Sequence, residues 1–150
     1  MSDSHVNSLL NDLLIELHCS LVRYIGEAWP WSEKEDEELR EMVQRIGERQ
    51  EAGVARLVQI LQQRSHDIDF GTYPQDYTSL HYVALEFLCS AMKTSQQNLS
   101  EWIWSLLPQL QNDPQAEQVV REIAESQRLT TQELNALKLP EHPQAVAWMK

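Results

Sequence analysis

Two stretches, Ile46-Gly47-Glu48-Arg49-Gln50 and Ile123-Ala124-Glu125-Ser126-Gln127, carry nearly the same five residues. Each lies in the middle of a long pattern of apolar residues at three- and four-residue steps, the spacing of one helix face. Each also puts a glutamine where that pattern asks for an apolar side chain. Around the first copy the face reads Leu39, Val43, Ile46, Gln50, Gly53, Val54, Leu57 and Leu61. Around the second it reads Ala116, Val120, Ile123, Gln127, Thr130 or Thr131, Leu134 and Leu137. Amphipathic helices of this kind must bury those faces against other helices.

Working outward, the periodicity predicts four helices, at about 8–28, 33–64, 79–107 and 114–137, with a C-terminal tail over 138–150. Helix one has its inward stripe at Leu10, Leu13, Leu17, Leu21, Tyr24 and Ala28, and a second apolar stripe at Ile15, Cys19 and Val22. Trp29-Pro30-Trp31 ends it, and Ser32 to Glu35 reads as a capping box that starts helix two. Helix three is predicted to face the core with Leu80, Ala84, Phe87, Leu88, Ala91, Ser95, Leu99, Trp102 and Leu106, flanked by Leu85, Cys89, Met92 and Ile103. Pro108 ends it. Asp113-Pro114 opens helix four as N-cap and first helical residue. Thr130-Thr131-Gln132-Glu133 could interrupt helix four as an internal capping box. Val146 and Trp148 in the tail either dock on the bundle or fray.

The segment Ser65 to Thr78 is too long for a hairpin between helices. Helix two would be about 48 Å long at roughly 1.5 Å per residue, and about 14 extended residues reach at most some 50 Å. The connection can therefore just run back along the bundle and set helices two and three parallel. An antiparallel bundle with one long loop remains the alternative.

Composition limits the function classes. At 150 residues and 42% apolar content, the chain suits one domain with a single core over 1–150. No apolar run approaches the roughly 18 residues of a transmembrane helix. The polar start, Met1 to Ser8, lacks the pattern of a signal peptide, so a cytoplasmic protein is expected. The formal net charge of -11, with basic residues scattered among acids, argues against nucleic acid and anionic membrane as partners. The acidic run from Glu33 to Glu38 reads as a solvated helix start. Cys19 and Cys89 form no metal or disulfide pattern and are expected reduced and packed. There is no phosphate loop or catalytic-triad ordering. His18 and His81 stand off the inward stripes and read as surface or packed residues. The five Trp residues read as packing.

With its helix order, crossover position and paired motifs, the chain resembles the ferritin-like superfamily, in particular its bacterioferritin and rubrerythrin branch. The resemblance covers roughly Leu9 to Leu137. It implies an all-α, up-down-down-up four-helix bundle with the long crossover between helices two and three. In that family helix one gives a Glu, helix two Glu-x-x-His, helix three a Glu and helix four Glu-x-x-His, and together they hold two metal ions. Glu16 and Glu86 are candidates for the single carboxylates, and Glu48 to Glu51 and Glu125 to Arg128 for worn copies of the paired motif. Helical phase, about 100° per residue, turns Glu16, Glu48, Glu86 and Glu125 away from the apolar faces.

The inward positions align differently. Gln50 and Gln127 fall where the two His ligands would sit, and Gly47 and Ala124 where the paired Glu ligands would. Leu17, seven residues before Tyr24, takes the helix-one place, and Leu88 the helix-three place. Amides and aliphatics are poor ligands for iron, manganese or zinc. A site filled by hydrogen-bonded amides is expected instead, with Gln50 and Gln127 meeting across the bundle, or sharing a water, near Tyr24. Boundary glutamines with solvated tips are the alternative. The resulting expectation is a non-catalytic, degenerate ferritin-like bundle without cofactor, binding or structural in role, and homodimeric through helices one and three. The competing class is a di-iron or di-manganese oxidoreductase or iron-handling protein using Glu16, Glu48, Glu51 and Glu86. A small-molecule ligand is not specified.

Overall fold

The computed structural model describes residues 3–27, 37–75, 77 and 85–137. All regular structure among them is helical: α1 (Asp3–His18), α2 (Leu21–Glu27), α3 (Glu37–Gln63), α4 (Leu85–Leu106) and α5 (Pro114–Ala136), with a 3₁₀ turn at Leu107–Leu110. No helix is long and apolar enough to cross a membrane among the described residues. The Trp29-Pro30-Trp31 turn, the Ser32 cap, Leu80, His81, Ala84 and the tail 138–150 lie outside them.

Helix one is not the single helix expected over 8–28. It starts at Asp3 and breaks at Cys19-Ser20. The Cys19 N–H still bonds Ile15 O at 2.8 Å. The Ser20 hydroxyl then accepts the Arg23 N–H at 3.2 Å, the reach of an N-cap serine to the third residue of a new helix. So a serine inside the apolar pattern ends one helix and opens the next. Helix four, by contrast, is unbroken through Thr130 and Thr131. Asp113 caps it as expected, accepting the Ala116 N–H at 3.2 Å, with Pro114 at its first position.

Hydrogen bonds fix how the helices pair. Asn7 meets Arg64 and Ser20 meets Gln50, so α1–α2 run antiparallel to α3. Arg49 reaches Thr130 and Glu133, Arg56 reaches Glu122, and Arg64 reaches Asp113, so α3 and α5 are antiparallel. The tight turn at 107–113 folds α5 back along α4, its closest neighbour.

The connection after α3 is held along α1–α2 in register. Asn11 exchanges two bonds of 3.0 Å with the backbone of Asp69, and Cys19 Sγ donates to Phe70 O at 3.3 Å. Tyr73 and Tyr77 then pack on Tyr24 with ring centroids 5.2 and 5.5 Å apart. Gly71 has φ of +72° and lies so close to α1 that a Cβ would stand 2.7 Å from Ile15 Cγ2. The second apolar stripe of helix one is thus covered at Ile15 and Cys19 by the chain's own crossover, while Val22 is buried in the core. That stripe is not the free surface the sequence suggested for a homodimer.

The core has two apolar halves. One gathers Leu10, Leu13, Leu57, Leu61, Ile103 and Val120, the other Leu21, Ile25, Val43, Ile46, Leu88 and Met92. Each fully buried Leu or Ile of this kind stabilises the fold by about 1.5–3 kcal/mol. Helix three is rotated from the expected phase by roughly one residue step, about 100°. Its buried stripe is Leu88, Cys89, Met92, Gln96, Leu99, Ser100, Ile103 and Leu106, while Phe87, Ala91, Ser95 and Trp102 are only half-buried. The bulky aromatics Phe87 and Trp102 drew the sequence reading towards the wrong face, because Gln96 and Ser100 make the true stripe look polar.

Candidate functional site

Between the two apolar halves lies a polar layer with one residue from each wall of the bundle: Ser20, Gln50, Gln96 and Gln127. All are buried, with Gln50 at 3%, Gln127 at 2% and Gln96 at 0% exposure. Each interrupts its own apolar run, Ser20 between Leu17 and Leu21, Gln50 between Ile46 and Val54, Gln96 between Met92 and Leu99. The layer is therefore what divides the core.

Gln96 Oε1 is its centre. It accepts Gln50 Nε2 at 2.8 Å and Gln127 Nε2 at 2.7 Å. Gln50 Nε2 also points to Gln127 Oε1 at 3.4 Å, a long contact. Gln50 Oε1 takes the Ser20 hydroxyl at 2.7 Å, and Gln127 Nε2 also reaches Gln96 O at 3.3 Å. Thr131 Oγ1 donates to Gln127 O at 3.0 Å. One buried group of the layer is left over: Gln96 Nε2 has no hydrogen-bond partner among the described residues.

The leftover donor follows from arithmetic. Three primary amides bring six N–H groups and three oxygens. With both neighbours donating to Gln96 Oε1, the Gln96 nitrogen faces no acceptor. Reversing all three amides together would give Gln96 Nε2 two acceptors, Gln50 and Gln127, and would turn Gln50 Nε2 towards Ser20. It would also release the Ser20 proton and set the Gln127 oxygen against Gln96 O. Amide orientation is assigned from such networks; the sense described leaves one polar group over, and the reversed sense leaves the Gln96 oxygen and the Ser20 proton.

The other positions singled out in the sequence fall as follows. Leu17 and Ala124 are buried beside the layer, and Leu17 lines a slot of about 170 Å³ between α3 and α5 whose floor is Gln50 and Gln127. Gly53 opens that slot, since a Cβ there would lie 3.3 Å from Leu17 Cδ1. Leu88 is fully buried but belongs to the α2-side apolar half; the helix-three member of the layer is Gln96. Gly47 turns instead to a surface cleft between α2 and α3 and would meet nothing within 4 Å if it carried a Cβ. Tyr24 packs among Tyr73 and Tyr77; one turn before it, Ser20 is the residue that joins the amides.

The carboxylates do not converge on this layer. Glu48 and Glu51 line the α2–α3 cleft, and Glu51 pairs with Arg23. Glu16 lines a different groove, between α1 and α4. The side chain of Glu86 lies outside the described residues. No group of three His, Cys, Asp or Glu side chains gathers among the described residues. His18 is half-buried against Phe70 and Arg23. Cys19 and Cys89 are buried and form no disulfide among the described residues, and burial pushes the Cys19 thiol above its ordinary pKa.

No family model, curated protein or solved structure matches this chain. The functional reading therefore rests on the layer itself and the surfaces around it.

Two neutral residues of the layer were not singled out in the sequence, Ser20 and Gln96. The signal for Gln96 was present: Leu88, Met92, Gln96, Leu99 and Ile103 form a clean helical stripe with one glutamine in it, as in the other two helices. Ser20 carried a weaker signal, a single serine between apolar turns.

Proposed function

We propose that this chain is a ferritin-like bundle in which hydrogen-bonded amides stand where a dimetal centre would be, and that its role is non-catalytic, binding or structural. The observation that carries the reading is the Ser20–Gln50–Gln96–Gln127 layer. It draws on all four walls of the bundle at mid-height, where such a centre lies, and offers only neutral amides and a hydroxyl, which iron and manganese bind poorly. Two further observations support the topology. With α5 antiparallel to both α3 and α4, those two helices point the same way, which is the up-down-down-up order. The connection between them runs back along α1–α2 from Asn11 to Tyr24, as a crossover between parallel helices must.

Self-association enters the proposal only through surface outside the α1–α4 groove, since the chain's own crossover covers Ile15 and Cys19 on helix one. Light scattering after size exclusion tests it, and a strict monomer removes it. The central test is metal analysis of the protein purified without chelator. Only trace, substoichiometric metal is expected. About two equivalents of iron or manganese per chain, the content of a dimetal site, would overturn the reading in favour of an oxidoreductase or iron-handling protein.

A further inference from the structure

The half-buried face of α4 that the sequence assigned to the core lines an open groove between α1 and α4, with a volume of about 700 Å³. Phe87 to Trp102 spans about 22 Å of helix. A groove of that length accommodates one extended chain lying along α4. Its volume is that of a small-molecule site.

The lining has a definite chemistry. Tyr77, Phe87 and Trp102 supply aromatic surface, and Ala91 and Leu99 supply aliphatic surface. Between them stand neutral acceptors: Ser90, Thr94, Ser95 and Asn98 on α4 and Ser20 on the opposite wall. The one formal charge among the lining residues is Glu16, which is exposed and has no cationic partner among the described residues. Its field contributes, after burial, to the raised pKa of the Tyr77 phenol. Among the described residues no Lys, Arg or His lines the groove, so an anionic ligand would find no countercharge among them. The net charge of -11 favours cations in the same sense.

We propose that this groove binds a linear polyamine, an extended chain in which ammonium groups alternate with methylene runs. Ammonium N–H groups donate to the Glu16 carboxylate, to the hydroxyls and to the Asn98 carbonyl, and lie against Trp102 and Tyr77 as cations do on aromatic faces. The methylene runs cover Ala91, Leu99 and Phe87. The inference gives the binding role proposed above a ligand class. It does not depend on the metal question, so a dimetal result would overturn the earlier reading and leave this one standing.

The test is an NMR titration of the full chain with spermidine and with three eight-carbon probes of equal length: 1,8-diaminooctane, 1,8-octanediol and suberate. Expected are shifts confined to the Trp102 indole and the Ser90 to Asn98 amides. Spermidine and the diamine should bind at least about tenfold more tightly than the diol through combined charge pairing and cation–π contact, and suberate should produce none. Added salt should weaken the diamines. Glu16→Gln should weaken spermidine about fivefold, as expected for an exposed charge pair, and Trp102→Leu by a similar factor. The control Glu48→Gln, on the far cleft, should change binding less than about twofold. Thermal melting verifies that each variant is folded. Shifts spread over the acidic surface, equal losses in Glu16→Gln and Glu48→Gln, or no discrimination among the three probes would overturn the proposal. So would a groove found covered by a second copy of the chain and closed to spermidine.

Discussion

Replacing Gln96 by leucine should cost far more than replacing all three glutamines together. Gln96 Oε1 holds both Gln50 Nε2 and Gln127 Nε2. Gln96→Leu therefore leaves two buried amides each without its main acceptor, at about 1–3 kcal/mol apiece. Against that, it removes the layer's donor that lacks a partner among the described residues, Gln96 Nε2, a relief of about the same size as one of those losses. The net destabilisation should be about 1–3 kcal/mol, which for a chain of this length lowers the melting temperature by roughly 3–10 °C.

In the triple variant Gln50→Leu, Gln96→Leu, Gln127→Leu, no amide is left to satisfy. The two apolar halves of the core join, and only the Ser20 hydroxyl loses its acceptor, at about 1 kcal/mol. Leucine in place of buried amides offsets that loss, so the triple should lie within about 1 kcal/mol of the wild type or above it. The assay is urea unfolding at neutral pH, followed by Trp fluorescence and circular dichroism, on the three singles and the triple. If the triple loses the sum of the singles, the amides act independently and the network reasoning is refuted. If Gln96→Leu costs under about 0.5 kcal/mol, the site is solvated and the burial argument fails.

Arg64 donates to both Asp113 oxygens at 2.8 Å, and this bonding, followed by the Ala116 N–H, holds the Asp113 carboxyl below its ordinary pKa. The stability it contributes is present above the unfolded carboxylate range, near about pH 4, and is lost as pH falls through the lower folded value. Asp113→Asn should cost about 1–2 kcal/mol at pH 7 and flatten the acid limb of the stability curve in denaturant titrations at stepped pH. An unchanged acid limb would refute the assignment. Gly71→Ala places a Cβ 2.7 Å from Ile15 Cγ2 at a φ of +72°. It should destabilise by about 1–3 kcal/mol and loosen the crossover, so that Cys19 reacts faster with a thiol reagent while Cys89 does not. Equal acceleration at both thiols would indicate global unfolding instead.

What the sequence revealed and what it hid have one physical origin. The Asp113-Pro114 start of α5 and the inward stripe of α3 were legible because capping and periodicity are local. The twin placement of Gln50 and Gln127 was legible too, as an interruption repeated in two apolar stripes, while the choice between buried and solvated tips was not. The phase of α4 was not. Whether Phe87 and Trp102 or Gln96 and Ser100 face the core depends on which partners the other helices bring, and a helix with apolar groups on two sides does not state that. Gln96 lies off the face that the sequence pattern favours, so the centre of the layer is not marked by that pattern. The break at Ser20 was hidden similarly, because a serine turns inward only when a distant Gln50 waits there. The capacity of the crossover to run back along the bundle followed from length alone, but its occupation of the Ile15 and Cys19 stripe needed the position of Gly71.

A layer built of one hydroxyl and three carboxamides has no proton to gain or lose across the range in which proteins remain folded. It has no electron to exchange and no charge for an ion to displace. The layer itself is therefore indifferent to acidity and to oxidants. The molecule's response to surroundings must enter at the periphery, through groups such as Asp113, Glu16 and the Arg23–Glu51 pair. Environmental sensitivity and structural identity are thereby assigned to different parts of one small chain, so the exterior can be altered without disturbing the residue pattern that aligns the helices.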